Sequence, residues 1–534
     1  MGNMGGGLFP LLSLQPLSFI ILFFILFLYI TLTEFRRVKK LAGYRSSPDD
    51  LGLDSGSGPA TYPLIGCLIS FYKNRFRLLD WYAELLAQSP TNTIVVHRLG
   101  ARRTVVTSNP QNVEHILKTN FHNFPKGKPF TDILGDFLGH GIFNVDGEPW
   151  LAQRKLASHV FTPRSVRQFV TTTLEEEVRE NLLPAMEVLA EEERVVDLQE
   201  LLGRFSFSVI CRFTLGSDVC CCLDPSSPIS PLTRAFDVAA EVSARRGAAP
   251  LFLVWKVKRW LGVGSERRLK EAVEDVHRLV MKMIQERKVV KMNVTGDGDE
   301  DDDEDLLSRL ISAGHEEEVI RDMLISFIMA GRDTTSAAMT WFFWLLSRYP
   351  NTENDLVKEI KKFKPKETTT LNYESLKELT FLKASLNECM RLYPPVAWDS
   401  KHATCDDTLP DGTKVLAGDR VTYFPYGMGR METLWGKDWF EFRPDRWFVE
   451  EGLEKNEGGR LIMREVCPFK FPIFQAGPRV CLGKEMAFVQ MKYVVASILS
   501  RFEIRVVSPE KPVFVPLLTA HMAGGLKVLL SKRE

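Results

Sequence analysis

One short segment near the C-terminal end constrains this chain more than any other feature. Residues 471–487 read FPIFQAGPRVCLGKEMA, with the spacing Phe474-x-x-Gly477-x-Arg479-x-Cys481-x-Gly483. Glycines on both sides of the cysteine permit backbone conformations and close approaches that a side chain would block. Residues 484–500 then have the periodicity of a helix. The ordinary alternative is a buried structural cysteine before a helix, and for a single free cysteine that alternative is the usual one.

The composition describes a large globular protein. Of the 534 residues, 45% are hydrophobic and 25% are charged, which excludes wholesale disorder. Lysine plus arginine (68) equals aspartate plus glutamate (68), so the chain lacks the basic excess of nucleic-acid-binding proteins. Nine cysteines do not describe a disulfide framework. We therefore expect a reducing compartment and no nucleic-acid partner.

The N-terminal segment predicts a membrane anchor. Residues 1–33 carry no charged side chain, positions 17–32 are almost entirely apolar, and a basic cluster follows at 36–40. An apolar helix of about 20 residues crosses a bilayer, and basic residues remain on its cytoplasmic side. A cleaved signal peptide would need basic residues before the apolar run, and none is present. We expect a transmembrane helix in 1–33, a linker over 34–60 and one cytosolic domain over 61–534.

The rest of the chain predicts a mainly α fold with a minor β-sheet domain. Apolar residues recur at helical spacing, with charged residues on the opposite face, in several long segments. The segments are 166–195, 266–290, 316–348, which Pro350 should end, and 374–392. Alternating apolar residues predict short strands at 92–97 and 103–107.

The predicted helix over 316–348 breaks local rules at its centre. Residues 330–335 read Ala330-Gly331-Arg332-Asp333-Thr334-Thr335. Glycine in a helix interior costs about 1 kcal/mol, and threonine lowers the propensity further. Broken local rules indicate a functional site, where the small residues leave a groove and Asp333 and Thr334 can relay protons. The alternative is a packing notch with a threonine bonded back to its own helix.

These motifs, in this order, resemble those of the cytochrome P-450 superfamily, the heme-thiolate monooxygenases. The resemblance runs from Trp150 to Gly483 and covers almost all of 61–534. It implies the cytochrome P-450 fold, with the iron of heme b bound by the Cys481 thiolate. A thiolate ligand favours O–O cleavage. The residues implied to contact the cofactor or shield the sulfur are Phe474, Gly477, Arg479, Gly483, Trp150, Arg154, Ala330 and Gly331.

The resemblance also implies roles for two pairs of residues that are each one helical turn apart. Glu388 and Arg391 lie at i and i+3, which usually means a surface ion pair. With Arg446 of the segment FRPDRW they are implied to form a buried structural network behind the heme. Trp150 and Arg154, at i and i+4, are implied to approach a heme propionate together with Arg479. Taken alone, a core tryptophan and a surface arginine would be the ordinary interpretation.

The resemblance also implies the reaction, in which dioxygen and NADPH-derived electrons hydroxylate an unactivated carbon. Thr334 would be the oxygen-activating threonine, with Asp333 relaying protons through water. No GxGxxG or Walker motif organises the chain, so the electrons are expected from NADPH-cytochrome P-450 reductase. That partner would dock near Cys481, with Lys484 and Arg154 as contacts. The implied location is the endoplasmic reticulum membrane, with the catalytic domain in the cytosol.

Longer stretches resemble one plant branch of fatty-acid-type ω-hydroxylases, and most closely the jasmonoyl-amino-acid hydroxylases. These stretches are 124–147, 421–431 and 516–525. They imply oxidation of the terminal carbon of jasmonoyl-L-isoleucine, in hormone catabolism. Sister families hydroxylate the ω-carbon of fatty acids, which is the main alternative. A heme-thiolate isomerase or dehydratase and a non-catalytic heme-binding membrane protein are remoter alternatives.

An amphiphilic carboxylate needs an apolar channel with a polar or basic group at its mouth. Candidate channel walls, placed by motif order, are Phe130, Phe137, Phe327, Val396, Trp398 and Met522. Candidate partners of the carboxylate are Lys126, Lys128 and His521, for which plain surface residues are the alternative. The acidic run 297–305 is interpreted as a solvated loop, and Cys220–Cys222 as structural cysteines rather than a zinc site.

Overall fold

Helices account for most of the residues that the structure describes. The computed structural model describes residues 58–63, 65–216, 223, 227–249, 252–293, 306–363, 371–449, 462–507 and 512–533. The predicted anchor over 1–33, nearly all of the predicted linker over 34–60, the acidic loop 297–305 and Cys220–Cys222 lie outside the described residues. Within the described ranges, no helix is long and apolar enough to cross a membrane.

The α-helices follow one another along the chain. They are α1 (Leu68–Lys73), α2 (Leu78–Gln88), α3 (Pro110–Glu114), α4 (Gly127–Leu138), α5 (Gly147–Ser158), α6 (Pro163–Phe169), α7 (Leu183–Glu191), α8 (Leu198–Leu215), α9 (Pro231–Ala248), α10 (Phe252–Leu261), α11 (Ser265–Asn293), α12 (Leu306–Ser312), α13 (Glu317–Arg348), α14 (Pro350–Phe363), α15 (Tyr373–Glu378), α16 (Thr380–Leu392), α17 (Pro425–Met428), α18 (Glu432–Trp435) and α19 (Lys484–Leu499). Single π-helical turns lie at His115–Thr119, Val170–Leu174 and Glu177–Leu182.

The strands are shorter. They are β1 (Thr93–Val96), β2 (Thr104–Thr107), β3 (Val196–Asp197), β4 (Asp399–His402), β5 (Asp407–Thr408), β6 (Lys414–Val415), β7 (Arg420–Tyr423), β8 (Phe502–Val506), β9 (Phe514–Pro516), β10 (Ala520–Met522) and β11 (Lys527–Lys532). The largest sheet has four strands in the order β1-β2-β7-β4. In it β2 and β7 run parallel, and the other neighbours run antiparallel. Both strands predicted from alternation are confirmed as β1 and β2.

Helix α13 runs between two hydrophobic cores. Its C-terminal half, including Met339 and Phe342, packs with α8, α16 and α19. Its N-terminal half, including Ile320 and Met323, packs with α4, α9 and α11. A helix buried on several faces must be apolar around much of its circumference, and α13 is so on both sides of its centre. Residues 330–335, at that centre, therefore lie at the junction of the two cores.

Four helix predictions are confirmed and one is wrong in detail. The segments 266–290, 316–348 and 484–500 appear as α11, α13 and α19. The segment 166–195 is also helical, because the backbone stays right-handed helical from α6 through the two π-helical turns into α7, which ends at Glu191. Pro184, in the first turn of α7, has no backbone N–H to donate to the π-helical turn before it.

The predicted helix 374–392 is divided at Leu379, whose backbone is not helical (φ −72°, ψ 74°). A side chain of another helix, α14, stabilises this division. The carboxylate of Glu359 accepts hydrogen bonds from the backbone N–H groups of Phe381 (2.7 Å) and Leu382 (2.9 Å). A carboxylate at this position caps the start of α16 and favours a fresh helix there.

Candidate active site

The loop before α19 presents Cys481 on a tightly constrained backbone. The Cys481 N–H donates to the Phe474 carbonyl at 2.8 Å. Gly477 has a φ of +66°, and a Cβ at this position would overlap the carbonyl oxygen of Leu117. A left-handed backbone without room for a side chain requires glycine. Gly483 has no such restriction, because its φ is −83° and a Cβ would meet only Phe161, at 3.6 Å.

The Cys481 side chain is exposed, although Arg154, Gly483 and Lys484 lie close to it. Burial raises the pKa of the Cys481 thiol, while the backbone of Gly483 and the charges of Arg154 and Lys484 lower it. An exposed sulfur with a raised pKa therefore faces a confined space rather than open solvent. A metal ion bound there would deprotonate the thiol outright, and the two nearby cations would favour the thiolate.

Arg479 links the cysteine loop to α5. Its guanidinium lies over the ring of buried Trp150, 4.5 Å from the centroid. It also donates to the Val145 carbonyl at 2.9 Å and to Asp146 Oδ1 at 2.7 Å. The predicted Trp150–Arg479 grouping is therefore present, and Asp146, which was not predicted, balances the arginine charge.

Arg154 is half-buried on the same helix as Trp150. Burial lowers its pKa, and the nearby Cys481 raises it. Among the described residues no carboxylate forms an ion pair with Arg154. A half-buried cation without an acidic partner can pair with an anionic group from outside the chain.

At the centre of α13, some of the small and polar residues serve helix packing and others belong to the candidate active site. A Cβ on Gly331 would come 2.5 Å from Cδ1 of Ile210, so the glycine lets α8 approach α13. The prediction that Gly331 leaves a groove for a ligand is thus replaced by its alternative, a packing notch. Thr334 Oγ1 donates to the Ala330 carbonyl at 2.7 Å, and Thr335 Oγ1 donates to the Gly331 carbonyl at 2.7 Å.

Asp333 is placed to hold or release a proton. Burial raises the pKa of this carboxyl, Arg332 lowers it, Asp237 raises it and His521 lowers it. Arg332 Nε lies 3.4 Å from Asp333 Oδ1 and the same guanidinium also pairs with Asp237. Since one cation serves two carboxylates, Asp333 is only partly compensated. His521, a candidate partner of the substrate carboxylate, instead lies where its charge acts on Asp333.

The structure brings Glu388, Arg391 and Arg446 together as one buried network. Glu388 Oε1 accepts from Arg391 Nη2 at 2.7 Å and from Arg446 Nε at 2.8 Å. Glu388 Oε2 accepts from the Trp447 indole N–H at 3.0 Å. Arg391 also donates to the backbone carbonyls of Gly429, Trp439 and Glu441. The polar groups of the network are satisfied within the chain, which fits a structural role.

A cavity of about 1340 Å³ lies beside these elements. Four predicted substrate residues line it, namely Phe130, Val396, Trp398 and Lys126. The other predicted wall residues, Phe137, Phe327 and Met522, do not line this cavity and are buried in the core, exposed by 0%, 8% and 2%, so their place in a channel stays a prediction. Their apolar side chains contribute to the packing of α4, α13 and β10 in the core.

The two candidate lysines are already paired. Lys126 Nζ lies 2.6 Å from Asp399 Oδ1 and 4.4 Å from the Phe130 ring centroid. Lys128 is exposed and pairs with Asp132 at 2.6 Å. Neither lysine therefore has a free charge to offer to a substrate carboxylate.

Sequence reasoning missed the buried cluster around Asp399. Its carboxylate accepts from Lys126, from Lys401 Nζ at 2.9 Å and from Tyr423 Oη at 2.9 Å, and Tyr423 also contacts Gln475. Burial, then Lys126 and Arg479, lower the pKa of Lys401 to about 7 against the pull of Asp399. Lys126 and Lys401 thus share one carboxylate, and Tyr423 connects this cluster to Gln475 of the cysteine loop. The cluster joins residues from three distant segments, Lys126, 399–401 and Tyr423, so no local sequence pattern marked it.

The comparisons with known proteins agree with this geometry. The family model described as Cytochrome P450 matches residues 57–522. The chain belongs to the cytochrome P450 family. Cytochrome P450 94B1 from Arabidopsis thaliana is 58% identical over 480 residues, which is 90% of this chain and 92% of the relative. Cytochrome P450 94B3 from Arabidopsis thaliana is 56% identical over 477 residues (89% and 92%), and Cytochrome P450 94A1 from Vicia sativa is 43% identical over 480 residues (89% and 91%).

Family membership confirms the predicted cytochrome P450 fold and makes the protein a heme-thiolate monooxygenase. The residues of this P450 fit that cofactor. Cys481 offers an accessible sulfur, and Arg154 is a half-buried cation without an acidic partner among the described residues. An anionic cofactor bound through iron satisfies both features. Arg479 and Trp150, stacked beside them, would complete its support.

Proposed function

We propose that this P450 hydroxylates the terminal carbon of an amphiphilic carboxylate, best matched by jasmonoyl-L-isoleucine or a related jasmonoyl-amino acid. The observation that carries the reaction class is the accessible Cys481 thiol on a glycine-constrained loop beside α13. The substrate rests on the resemblance of 124–147, 421–431 and 516–525 to the jasmonoyl-amino-acid hydroxylases. Oxidation at the far end of the molecule would inactivate a hormone conjugate.

Heme b, held through iron by Cys481, supplies the activation of dioxygen when bound. The chain's own residues set its environment. Phe474, packed 5.1 Å from Phe488 between ring centroids, would shield the sulfur from water. Arg154 and Arg479 would pair with propionates, since guanidinium groups bind carboxylates through two parallel hydrogen bonds.

Thr334 and Asp333 would deliver protons to the site. The Thr334 hydroxyl donates to the Ala330 carbonyl, which leaves its oxygen lone pairs available as acceptors. Burial raises the pKa of the Asp333 carboxyl above its ordinary value, which makes it a better proton carrier than an exposed aspartate. The relay would therefore run from Asp333, through water, to Thr334.

Electrons would come from NADPH through NADPH-cytochrome P-450 reductase. The proposed docking face surrounds the Cys481 loop, where Lys484 is exposed at the first turn of α19. Cations on that face suit an acidic partner. The apolar segment 1–33 and the basic cluster after it support anchorage in the endoplasmic reticulum membrane, with the catalytic domain in the cytosol.

Product analysis tests the proposal. Microsomes containing the protein and a plant reductase receive jasmonoyl-L-isoleucine or a long-chain fatty acid, with and without NADPH, and products are separated by mass spectrometry. NADPH-dependent hydroxylation of the conjugate in preference to the fatty acid is expected. Preference for the fatty acid would assign the protein to fatty-acid ω-hydroxylation instead. Turnover of a hydroperoxide without NADPH would assign it to the isomerases or dehydratases.

A further inference from the structure

One face of the four-stranded sheet forms the floor of the large cavity. Directly paired residues of neighbouring strands point to the same face. The register places Val96, Thr104, Arg420 and His402 in one row across β1, β2, β7 and β4, and all four line the cavity. The next row on the same face, with Thr422 and Ser400, also lines it.

Two further arginines continue this face beyond the ends of the strands. Because side chains alternate along a strand, Arg98, two residues after Val96, and Arg102, two residues before Thr104, lie on the side of that row. Both line the cavity, as Arg420 does. Three arginines from β7 and from the turn between β1 and β2 thus meet at one end of the cavity.

These three arginines have no acidic partner among the described residues. The Arg98 guanidinium lies over the Phe71 ring, 4.1 Å from its centroid. Arg102 donates to the Gly418 carbonyl at 3.3 Å, and the buried Nε of Arg420 has no hydrogen-bond partner. The neighbouring Arg103, which points to the opposite face, is by contrast paired with Asp419.

The acidic residues that line the cavity are engaged elsewhere. Asp399 binds two lysines, Glu84 pairs with Arg77, and Asp80 accepts the hydrogen bond of the Tyr426 hydroxyl at 2.7 Å. The arginine end of the cavity is therefore positively charged, and a half-buried cation without a counter-charge is costly. A ligand with a negative group would relieve that cost.

The pKa of His402, which lies in the same row as Arg420, is affected by the nearby positive charges. Its pKa is lowered to about 4, first by burial and then by the charges of Arg420, Arg102 and Lys126, while the hydrogen bond to the Lys126 carbonyl opposes this. The ring is therefore neutral at pH 7. Because Nδ1–H of the neutral ring donates to the Lys126 carbonyl, Nε2 can only accept and does not bind a carboxylate itself, so His402 adds no anion-binding group beside Arg420.

We propose that Arg98, Arg102 and Arg420 bind the carboxylate of the substrate at the end of this cavity. This inference rests on the proposed function and deepens it. The cavity is also lined by apolar residues of α4, including Phe130 and Ile133, so an amphiphilic acid would lie with its charge at the sheet and its hydrocarbon part along α4. Guanidinium groups match a carboxylate in both charge and fork geometry.

The test compares a free acid with its methyl ester. Substrate-induced shifts of the heme absorption spectrum give dissociation constants for jasmonoyl-L-isoleucine, a long-chain fatty acid and both methyl esters. The wild-type holoenzyme is expected to prefer the acids by about tenfold or more, the size of one lost charge-assisted hydrogen bond. Arg420→Gln and Arg98→Gln should lose that preference by weakening acid binding alone, and Arg420→Lys should recover part of it. Arg505→Gln, which removes an exposed arginine of β8, is the control and should keep it.

An unchanged acid-to-ester ratio in Arg420→Gln and in the Arg98→Gln, Arg102→Gln double variant would overturn the inference. Equally, loss of binding to phosphatidylserine vesicles with the ratio retained would show that these arginines face anionic lipid headgroups. The carbon monoxide spectrum of each variant establishes that the heme-bound fold is intact. Failure of this inference can be distinguished from failure of the proposed function. The acid-to-ester ratio of dissociation constants can be measured with the fatty acid and its methyl ester even when the conjugate is not hydroxylated.

Discussion

Glu388 holds the guanidinium of Arg391 by two hydrogen bonds, from Nε to Oε2 at 2.8 Å and from Nη2 to Oε1 at 2.7 Å, and both side chains are fully buried. Breaking a buried pair by removing one partner typically costs about 3–5 kcal/mol, because the remaining charge is uncompensated. Glu388→Ala should therefore lower the free energy of unfolding by about that amount, since it leaves Arg391 without a carboxylate and Arg446 with Asp438 alone, at 3.4 Å.

The matched control is Asp355→Ala. Asp355 pairs with Lys358 at the same i, i+3 spacing, at 2.9 Å, but on the surface, where such a pair contributes about 0–1 kcal/mol. Thermal unfolding of the two holoenzyme variants provides the comparison. Equal losses of stability would show that burial of the Glu388 network does not set its importance.

The two glycines around Cys481 should behave differently. Gly477→Ala forces a side chain into a left-handed backbone and onto the Leu117 carbonyl, so it should destabilise the fold and reduce heme content together. Gly483→Ala meets only Phe161 at 3.6 Å and should leave the folding of the chain intact. Heme content per folded protein, measured for both variants, separates the two effects. Heme loss from a normally folded Gly483→Ala variant would show that the cofactor itself requires this glycine.

Thr334 and Thr335 make the same bond to their own helix, each donating to the carbonyl four residues earlier at 2.7 Å. Thr334→Ala should uncouple the reaction, so that NADPH is consumed and peroxide is released while less product forms. Thr335→Ala removes an equal helix bond from a residue buried beside Ser206 and should stay coupled. Product formed per NADPH oxidised is the measurement. Similar coupling in the two variants would contradict a role of Thr334 in proton delivery.

His402 should make stability fall in acid. Its pKa is about 4 in the folded protein against 6.5 for an ordinary histidine. Between these values the unfolded chain binds more protons than the folded chain, so this contribution to stability is complete above pH 6.5 and is lost as the pH falls toward 4. His402→Gln removes the contribution. Melting temperatures of both proteins at several pH values should therefore converge in acid, and a gap independent of pH would refute the prediction.

Cys481→Ser should abolish the thiolate-ligated carbon monoxide spectrum of the reduced protein. The serine hydroxyl is a far weaker ligand for iron than a thiolate, although its size preserves the loop. Cys467→Ser is the control, because Cys467 is also exposed and free but lies outside the Phe474–Gly483 motif. A normal spectrum from Cys481→Ser would place the ligand elsewhere.

Features set by short-range spacing were predictable from sequence. The cysteine loop, the Trp150 helix and the Glu388–Arg391 pair all depend on residues a few positions apart, and the structure joins these segments. Features that depend on distant partners were not predictable. The division of 374–392 needs Glu359 from another helix, and the packing of Gly331 needs Ile210 from α8.

The substrate residues show the same limit. Motif order placed Phe137 and Met522 in a channel, although their apolar side chains complete the core. The sheet register, which sequence alone does not reveal, is what brings Arg420 beside Thr104 and thus close to Arg98 and Arg102. These cations come from segments more than three hundred positions apart, so no local pattern could join them.

The most direct test of the account is the position and origin of the oxygen in the product. Jasmonoyl-L-isoleucine is incubated with the reductase-coupled enzyme, NADPH and isotopically labelled dioxygen, and the product is analysed by mass spectrometry with fragmentation. We expect one labelled oxygen on the terminal carbon of the pentenyl chain. An unlabelled hydroxyl, or a labelled one at another carbon, would contradict the proposed terminal hydroxylation.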